Sequence, residues 1–442
     1  MRYANKNIAV LGLGESGEAA ALLLAEEGAN VTILDSGPEE RLRLKIDAMR
    51  GRGIAVVTGP AAERLAVHQF DRATLSPGID PAAPLVQNFI RERIEMIGEL
   101  ELSYELCKCP IVAITGTNGK TTTTELVAGM LNACGVRTTA CGNIGPAFAA
   151  KVRESAHLDI VTVEVSSFQL EQIRAFRPRV SVWLNFAPDH LDRYADIGEY
   201  RAAKLRIFEN QTAEDFAVVN LRDELPPLKA RRITFSAYAK GADFEMEDGT
   251  ILHRGKPIFK MEETNLRGPH NAENLMAALG VGLAQGIPFG TMLPALKTYS
   301  PLPHRCERVR TLDGVDYVND SKATNLDAME KALLSETRPV VLIAGGKDKG
   351  FEFESLTALV AEKARAAILI GQMAPRIEGF WKKKVRCEIA GSLAQAVQKA
   401  RETARPGDVV LFSPGTSSFD MFKNYGDRGN QFRALVHALS NP

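Results

Sequence analysis

Cysteine is scarce in this chain, and its spacing argues against the usual cysteine-based sites. The six cysteines include no CxxC pair; they are Cys107, Cys109, Cys134, Cys141, Cys306 and Cys387. Zinc ribbons and thioredoxin-like redox sites depend on such pairs, and disulfide frameworks are typical of short secreted chains. The spacing therefore argues against a structural metal bound by cysteine and favours a reducing compartment.

Net charge and long apolar runs are also missing. Lys plus Arg and Asp plus Glu both total 54, so no general attraction to a nucleic-acid backbone is expected. Apolar runs such as residues 19–25 are much shorter than the ~20 residues of a membrane-spanning helix. The first residues, MRYANKNIAVLGLG, lack the cleavage pattern of a signal peptide. We expect a cytoplasmic protein with no membrane insertion and no nucleic-acid partner.

The chain is otherwise of ordinary globular composition, with 45% hydrophobic and 24% charged residues. At roughly 100 to 200 residues per domain, 442 residues imply about three domains. Short β-branched runs alternate with helical stretches at the start of the chain, again from about residue 110, and again after residue 305. Such alternation is typical of α/β domains. We expect an α/β protein with domains at 1–96, 97–299 and 300–442.

One region of the second domain has a different pattern. Residues 212–262 contain short strand-like runs separated by turn signals such as Asp248-Gly249. This pattern predicts a small, partly antiparallel sheet.

A glycine-rich turn follows the first predicted strand. The residues GLGESG, 12–17, lie between a strand at 8–11 and a helix predicted near 18–27, and Asp35 ends the next strand. Glycines let the backbone approach a pyrophosphate at a helix N-terminus, and Asp35 can accept hydrogen bonds from ribose hydroxyls. The motif does not distinguish NAD from a uridine diphosphate, and a tight turn without a ligand has the same pattern.

The residues AITGTNGKTT predict a phosphate-binding loop. A strand at 111–115 leads into the loop 116–119, and Lys120 and Thr121 open a helix. In such loops backbone amides surround the phosphates, the lysine neutralises the terminal ones, and the hydroxyl can bind magnesium. The usual GxxxxGK[ST] spacing would need glycine at Ile114, so this loop is a shorter variant, GxxGKT.

Three further residues are candidates for magnesium binding or proton transfer. Glu164 ends an apolar strand, where a carboxylate can bind magnesium or merely cap the next helix. His190, in the loop APDHLDRY, can be a metal ligand, a proton carrier or a histidine without function. Lys204 lies on an apolar helical face, where carbon dioxide can convert its amine to a metal-binding carbamate. The alternative is an ammonium group that reaches water.

Polar residues also collect at strand ends in the last third of the chain. Asn271 is positioned to cap a helix at 272–285. Arg305 lies at a Pro-containing hinge, where it can hold a phosphoryl group or form a structural salt bridge. The segment YVNDSKATN places Asp320 and Thr324 at a strand terminus. Loop residues suited to carboxylate or phosphate recognition follow two other strands; they are Lys347, Lys349, Ser417 and Ser418.

Eight segments, taken in chain order, resemble the Mur ligase family. They are GTNGKTT, EVSSFQLE, DHLDRY, RAAKLRIFE, GPHNAEN, PHRCE, NDSKATN and SPGTSSFDMFKNYGDRG. The resemblance covers the chain end to end, and the last two segments together resemble the members that add D-glutamate. Two departures fall in the last segment: Tyr425 stands where phenylalanine is common, and GTSS replaces a more usual stretch with alanine and cysteine.

The resemblance implies an activity and an architecture. The architecture is an N-terminal Rossmann-like domain for a uridine nucleotide, a central P-loop ATPase and a C-terminal Rossmann-like domain for an amino acid. The activity is ATP-dependent addition of D-glutamate to UDP-N-acetylmuramoyl-L-alanine through an acyl phosphate, in cytoplasmic peptidoglycan precursor synthesis. ATP, two magnesium ions and a carbamylated lysine are the implied cofactors. The glycine-rich turn at 12–17 is thereby assigned to UDP instead of NAD, and we expect a monomer.

The resemblance also assigns residues to each site. The UDP-sugar residues are Gly14, Ser16, Asp35, Ser36, Ser76 and Asn143. The ATP residues are Gly116, Thr117, Asn118, Gly119, Lys120, Thr121, Thr122, Asn271, Arg305 and Asp320. The magnesium ligands are Thr121, Glu164, His190 and a carbamylated Lys204. The D-glutamate residues are Thr324, Lys349, Ser418 and Tyr425. The catalytic residues are Lys120, His190, Lys204 and Arg305, with His190 a candidate acceptor for the proton of the attacking amine.

Several other functions fit parts of the same pattern. Sibling ligases add L-alanine, a diamino acid or a dipeptide, and folylpolyglutamate synthetase shares the central and C-terminal plan. The turn at 12–17 with Asp35 argues against the folate enzyme. A nicotinamide dehydrogenase fused to a phosphate-binding module and a nucleotide-sensing scaffold without turnover are the remaining alternatives.

Overall fold

A computed structural model of the chain describes residues 1–188, 193–300, 303–348 and 351–440. Three separate, mainly parallel sheets, each associated with helices, confirm the α/β class. The chain divides into two compact units: Met1–Phe259 with Glu273–Lys297, and Lys260–Ala272 with Thr298–Pro442. The first unit contains two sheets and the second contains the third.

The first sheet has five parallel strands in the order β3-β2-β1-β4-β5. Its elements in chain order are β1 (Asn7–Leu11), α1 (Glu15–Glu26), β2 (Asn30–Asp35), α2 (Glu39–Arg50), β3 (Ala55–Thr58), α3 (Pro60–Arg64), β4 (Arg72–Leu75), α4 (Pro84–Arg91), β5 (Met96–Gly98) and α5 (Glu99–Leu106). Helix α1 begins at Glu15, three residues earlier than expected, because Gly14 is already its N-cap. The glycine-rich turn therefore includes the first turn of α1.

The second sheet has nine strands in the order β14-β13-β12-β11-β10-β9-β6-β8-β7. Its elements are β6 (Ile111–Thr115), α6 (Lys120–Ala133), β7 (Ala140–Gly142), α7 (Phe148–Lys151), β8 (Val161–Glu164), α8 (Ser167–Leu170), β9 (Val180–Trp183), α9 (Ile197–Leu205), β10 (Phe216–Asn220), β11 (Arg231–Ser236), β12 (Phe244–Glu247), β13 (Thr250–His253), β14 (Lys256–Lys260), α10 (Pro269–Ala284) and α11 (Phe289–Thr298). Every residue of β6 is buried, as expected for a parallel strand covered on both faces.

The expectation of a separate small sheet at 212–262 is wrong. Strands β10, β11 and β12 pair in parallel and extend the central sheet from β9. The next pairing, β12 with β13, is antiparallel across the turn at Asp248 and Gly249. The turn predicted at Asp248 and Gly249 is present, but the buried runs of β10 and β11 pair with the large sheet because it offers an open edge.

The third sheet has six strands in the order β15-β16-β20-β17-β18-β19, with β15 antiparallel to β16 and the other pairs parallel. Its elements are β15 (Glu307–Leu312), β16 (Val315–Asn319), α12 (Leu326–Ser335), β17 (Val340–Ala344), α13 (Thr357–Lys363), β18 (Ala364–Leu369), α14 (Ala374–Trp381), β19 (Arg386–Ile389), α15 (Leu393–Thr403), β20 (Val409–Phe412) and α16 (Tyr425–Ala438). Short 3-10 helices lie at Val67–Gln69, Val152–His157, Arg206–Phe208, Met261–Glu263 and Phe353–Leu356.

Within the described ranges, none of the helices has both the length and the apolar character needed to cross a membrane.

Candidate active site

The phosphate-binding loop joins β6 to α6 at the carboxyl edge of the central sheet. Gly119 precedes α6 with φ +80°, and a Cβ there would approach the side chain of Asn274, so a larger residue does not fit. Thr121 and Thr122 lie in the first turn of α6, where unpaired N–H groups favour anions. The loop predicted from the sequence is therefore in its expected strand–loop–helix setting.

Asn185, which the sequence analysis missed, braces this loop. Its carbonyl accepts the Thr117 N–H at 3.0 Å, and its side-chain oxygen accepts the Asn118 N–H at 2.9 Å. Its Nδ2 donates to the Asn118 carbonyl at 3.1 Å. Asn185 follows β9, the neighbour of β6, so the only sequence signal was a polar residue just after a buried strand.

Two lysines converge on one carbonyl of the loop. Lys120 Nζ donates to the carbonyls of Gly116 at 3.0 Å and Thr117 at 2.8 Å. Lys204 Nζ donates to the same Gly116 carbonyl at 2.9 Å. Lys204 is 2% exposed, and its Nζ lies 4.9 Å from the centre of the Tyr200 ring. The ammonium group therefore does not reach water, which contradicts the alternative of an exposed ammonium. The chain has no net charge, but two lysine side chains at this loop form a local site that favours anions.

Glu164 ends β8 beside this loop. The register pairs Glu164 with Ile114 on β6 and with Gly142 on β7. Its Oε1 accepts a hydrogen bond from Asn143 Nδ2 at 2.8 Å, whereas its Oε2 is buried and has no hydrogen-bond partner among the described residues. An unpartnered buried carboxylate oxygen is costly, and a hard cation such as Mg²⁺ would remove that cost. The residues present therefore fit a magnesium ion.

Two predicted site residues lie outside the described residues: His190, predicted for the magnesium site, and Lys349, predicted for the D-glutamate site. The part of the chain that the structure describes contains no cluster of three or more histidine, cysteine or acidic side chains suited to a metal.

A cavity of about 570 Å³ opens between the first and second sheets. Five of the predicted UDP-sugar residues line it: Gly14, Ser16, Asp35, Ser76 and Asn143. Ser36 is exposed beside Asp35, outside the lining that the described residues form. Ile79 and Phe168 also line the cavity, which we call the Ser76–Phe168 cavity. The structure thus brings together residues that are far apart in the sequence.

Asp35 and the closely packed glycine-rich turn at 12–17 form one side of this cavity. Asp35 accepts the N–H groups of Leu13 at 2.8 Å and Gly37 at 2.7 Å. Gly12 has φ +96°, and a Cβ there would lie 2.8 Å from Ile79, so only glycine fits. Asp35 therefore orients the loop, and the N-terminus of α1 opens toward the cavity through Gly14, Glu15 and Ser16.

Asn271, predicted as a helix cap, is not one. Helix α10 begins at Pro269, so Asn271 lies in its first turn and its Nδ2 donates to the Arg267 carbonyl at 2.8 Å. Pro269 starts the helix because proline is favoured in the first turn, where its missing N–H costs nothing.

Asp320 follows β16 and is buried. Its Oδ2 accepts a hydrogen bond from Ser413 Oγ at 2.8 Å, and its Oδ1 accepts one from the Cys306 N–H at 3.3 Å. Burial raises the pKa of Asp320 to about 7, although these hydrogen bonds and the charge of Arg305 oppose the rise. The neighbouring Cys306 thiol also has its pKa raised, mainly by burial.

Three loops of the C-terminal sheet meet at one edge, because β16, β20 and β17 are parallel neighbours. Gly415 N–H donates to the Ala323 carbonyl at 3.0 Å, and Lys347 N–H donates to the Ser417 carbonyl at 2.9 Å. The predicted D-glutamate residues Thr324 and Ser418 lie on two of these loops. Tyr425 begins α16, 39% exposed, with Lys322 Nζ 3.9 Å from the centre of its ring.

Arg428 holds two of these loops together and received no role from the sequence. It is fully buried, and it donates to the Ser321 carbonyl at 2.8 Å and the Thr416 carbonyl at 3.2 Å. Burial lowers the pKa of Arg428 to about 10, so the guanidinium remains charged at neutral pH. The only signal was its place within a segment that carries the family resemblance.

Comparison with known proteins identifies the family. Three family models match: the MurD-like N-terminal domain of Mur ligases at residues 6–98, the Mur ligase middle domain at 114–282, and the Mur ligase glutamate ligase domain at 304–415. A UDP-N-acetylmuramoylalanine–D-glutamate ligase from Geobacter metallireducens is 42% identical, covering 99% of this chain and 99% of its own. The chain belongs to the Mur ligase family.

This Mur ligase has further relatives of the same kind. A UDP-N-acetylmuramoylalanine–D-glutamate ligase from Pelotomaculum thermopropionicum is 39% identical over 99% of this chain and 98% of its own. Among solved structures, UDP-N-acetylmuramate-alanine ligase MurC from Thermotoga maritima has a TM-score of 0.62 at 19% identity, covering 98% of this chain and 100% of that chain. Such a likeness concerns the fold, and with the three family models it confirms the three-domain architecture.

Removing the charge of Glu164 tests the prediction that this residue binds magnesium. We expect Glu164→Gln to lower phosphate release by about 100-fold or more at low Mg²⁺, because a charged ligand is lost. Without Mg²⁺ the variant should melt at the same temperature as the wild type or higher, since an unpartnered buried carboxylate is gone. Phosphate release against Mg²⁺ concentration and thermal unfolding give the two readouts.

Glu101→Gln is the matched control. Glu101 is also a buried carboxylate, but both of its oxygens accept backbone N–H groups, from Arg174, Ala175 and Phe176. This change should lower the melting temperature and leave the Mg²⁺ dependence unchanged. An unaltered Mg²⁺ dependence in Glu164→Gln would show that Glu164 binds no cation.

Asp320 should make the stability of the second unit depend on pH. Its pKa is about 7 in the folded chain and about 4 when unfolded, so the folded state holds the extra proton between these values. Stability should therefore fall as the pH rises from about 4 to 7, by up to about 1.4 kcal/mol per pH unit from this residue. The melting temperature of Asp320→Asn minus that of the wild type should therefore be larger at pH 8 than at pH 5. Parallel melting curves at both pH values would contradict the raised pKa.

Proposed function

We propose that this protein is an ATP-dependent ligase that adds D-glutamate to UDP-N-acetylmuramoyl-L-alanine during peptidoglycan precursor synthesis. One observation carries the proposal beyond the family assignment. Asn143 lines the Ser76–Phe168 cavity and also donates to Glu164, which is paired in register with the strand that leads into the phosphate-binding loop. A nucleotide sugar in the cavity would thus extend its acid end toward the phosphates of ATP.

The chemistry explains why a carboxylate and a triphosphate must meet. A carboxylate resists attack by an amine because delocalised negative charge shields its carbon. Transfer of the γ-phosphoryl group to a carboxylate oxygen breaks the bond to ADP and gives an acyl phosphate. Such a transfer depends on positioning and on neutralising charge more than on covalent help from the protein. Lys120 would supply that positive charge, and the N–H groups of the loop would hold the phosphates in position.

In the second half of the reaction, the amine of D-glutamate forms an amide bond with the acyl group. D-glutamate loses a proton from its ammonium group and attacks the acyl carbon, and the tetrahedral intermediate then releases inorganic phosphate and leaves the amide. His190 is our proposed acceptor for that proton. Arg305 would neutralise charge on the transferring group, as one of the catalytic residues with Lys120 and Lys204.

Magnesium would be held by Thr121, Glu164, His190 and a carbamylated Lys204, in two sites. When bound, the ions neutralise charge on the phosphate oxygens. The unpartnered Oε2 of Glu164 supports this assignment. For Lys204, its position supports the assignment, because its side chain is buried and its Nζ lies 2.9 Å from the Gly116 carbonyl of the phosphate-binding loop.

The remaining assignments extend the same proposal. The ATP residues are Gly116, Thr117, Asn118, Gly119, Lys120, Thr121, Thr122, Asn271, Arg305 and Asp320. The UDP-sugar residues are Gly14, Ser16, Asp35, Ser36, Ser76 and Asn143. The D-glutamate residues are Thr324, Lys349, Ser418 and Tyr425. We further propose a cytoplasmic monomer with domains at 1–96, 97–299 and 300–442.

Phosphate release with defined substrates tests the function. Purified protein is mixed with ATP, Mg²⁺, UDP-N-acetylmuramoyl-L-alanine and one amino acid at a time. Release with D-glutamate alone supports the proposal, and release with another amino acid would assign a sibling activity. Release without any amino acid, or no release under any of these conditions, would overturn it.

Isotopic oxygen tests the acyl phosphate separately. The carboxylate of UDP-N-acetylmuramoyl-L-alanine is labelled with ¹⁸O, and the released phosphate is analysed by mass spectrometry. One labelled oxygen should appear in each phosphate, because the carboxylate oxygen that accepts the phosphoryl group leaves with it. Unlabelled phosphate would rule out this intermediate.

A further inference from the structure

Arg193 connects the two walls of the Ser76–Phe168 cavity. Its Nη1 donates to the carbonyls of Pro77 at 3.3 Å and Ile79 at 3.4 Å. Its Nη2 donates to Glu171 Oε2 at 2.9 Å, and its Cζ lies 4.2 Å from the centre of the Phe168 ring. Pro77, Ile79 and Phe168 all line the cavity. One guanidinium thus contacts the loop after β4 on one side and the α8 region on the other.

We propose that Arg193 is a positioning residue that sets the affinity for the nucleotide-sugar substrate by fixing both walls of this cavity. The inference rests on the proposed function, since it names a residue for the same substrate. Arg193 is not itself in the cavity lining, so it acts through the residues that are. Without it, the loop 76–79 loses two hydrogen bonds from one charged donor, Nη1, and the Phe168 ring loses its stacked cation.

The chemistry of the position requires arginine. A planar guanidinium can donate to two carbonyls and a carboxylate while its face stacks on a ring, whereas a lysine ammonium has neither the span nor the flat face. The side chains of Arg193 and Glu171 are 19% and 18% exposed, so water screens the pair little. Glu171 also accepts a hydrogen bond from the Tyr194 hydroxyl, which holds the carboxylate in place.

The position along the chain gives the contact a second consequence. Arg193 follows directly on the segment 189–192, which contains His190. Its hydrogen bonds to the carbonyls of residues 77 and 79 join Arg193 to a loop more than a hundred residues earlier in the chain. A substrate bound in the cavity would meet a loop that these hydrogen bonds already hold in place, which lowers the entropic cost of ordering the loop on binding.

Steady-state kinetics of Arg193→Ala and Arg193→Lys test the inference. We expect KM for UDP-N-acetylmuramoyl-L-alanine to rise about tenfold or more in both variants, because each charged hydrogen bond lost to the wall weakens it. KM for ATP should stay within about twofold, since the hydrogen bonds of Arg193 are with the loop after β4 and with Glu171 and not with the phosphate-binding loop. Millimolar guanidinium chloride should lower the raised KM of Arg193→Ala but not that of Arg193→Lys.

Arg231→Ala is the matched control. Arg231 also donates to a backbone carbonyl, that of Ala213, and lies over a ring, that of Phe216, but at the amino ends of β10 and β11. The Arg231→Ala variant should leave both KM values unchanged.

Wild-type KM for the nucleotide sugar in both Arg193 variants would overturn the inference, as would an equal rise in the KM values for the nucleotide sugar and for ATP. If Arg193→Ala does not fold, Arg193→Lys decides alone. Failure of the wild type to turn over would instead contradict the proposed function.

Discussion

Replacing Lys120 by alanine is expected to abolish phosphate release, with a fall of about 1,000-fold or more in kcat. Lys120 is the lysine of the phosphate-binding loop, and its Nζ already lies within hydrogen-bond distance of two loop carbonyls. Lys204 Nζ also contacts the Gly116 carbonyl, but it is buried on α9. The remaining loop groups are N–H and hydroxyl donors without a full charge, so they cannot replace the ammonium beside the transferring phosphoryl group.

The rate of phosphate release, measured in a coupled enzyme assay with saturating ATP and Mg²⁺, checks this expectation. Lys240→Ala is the control, because Lys240 is an exposed lysine of the same unit whose ion pair with Glu247 lies on the surface. It should retain full activity. Near-normal turnover in Lys120→Ala, with a melting temperature like that of the wild type, would show that this loop does not bind the reacting phosphate.

Replacing Lys204 by alanine is expected to lower kcat by about 1,000-fold, and short carboxylic acids such as formate or acetate should restore part of it. The acid would occupy the space left by the side chain and supply the oxygens that a carbamate supplies. Lys204 is 2% exposed and its Nζ lies 2.9 Å from the Gly116 carbonyl, so the lost group is next to the phosphate-binding loop.

Lys204→Arg separates the two chemical roles open to this side chain. Arginine keeps a cation that can donate to the Gly116 carbonyl, but it cannot form the carbamate. Inactivity of Lys204→Arg together with rescue of Lys204→Ala supports the carbamate. Activity in Lys204→Arg without rescue of Lys204→Ala would show that only the cation matters. Full activity of both variants would show that Lys204 only packs.

Local patterns were enough to predict the elements that carry the chemistry. The strand at 111–115, the loop at 116–119 and the helix from Lys120 are found at the predicted residues, because each is specified by neighbours along the chain. Which sheet the strands of residues 212–262 join could not be predicted in the same way. Whether a short buried strand joins a large sheet or forms its own depends on an open edge that local sequence does not reveal.

The residues that support the site were the ones that sequence reasoning missed. Asn185 braces the phosphate loop from a neighbouring strand, Arg193 contacts a loop more than a hundred residues earlier, and Arg428 joins loops after two different strands. Asn271 was misplaced by a local rule, since the helix starts two residues before it. Each of these roles depends on a partner that is distant in the chain or on the exact start of an element.

By itself, the sequence determined the α/β class, the phosphate-binding loop and the set of polar residues at strand ends, because strand periodicity, glycine turns and helix starts depend on neighbouring residues. Only the tertiary structure decided which of those residues meet. It placed Asp35, Ser76 and Asn143 around one cavity, left Glu164 with a buried oxygen that has no protein partner among the described residues, and brought Lys204 to the same carbonyl as Lys120. These contacts between distant residues depend on the order and register of the strands. Order and register are set by the burial of whole sheets and not by any short segment.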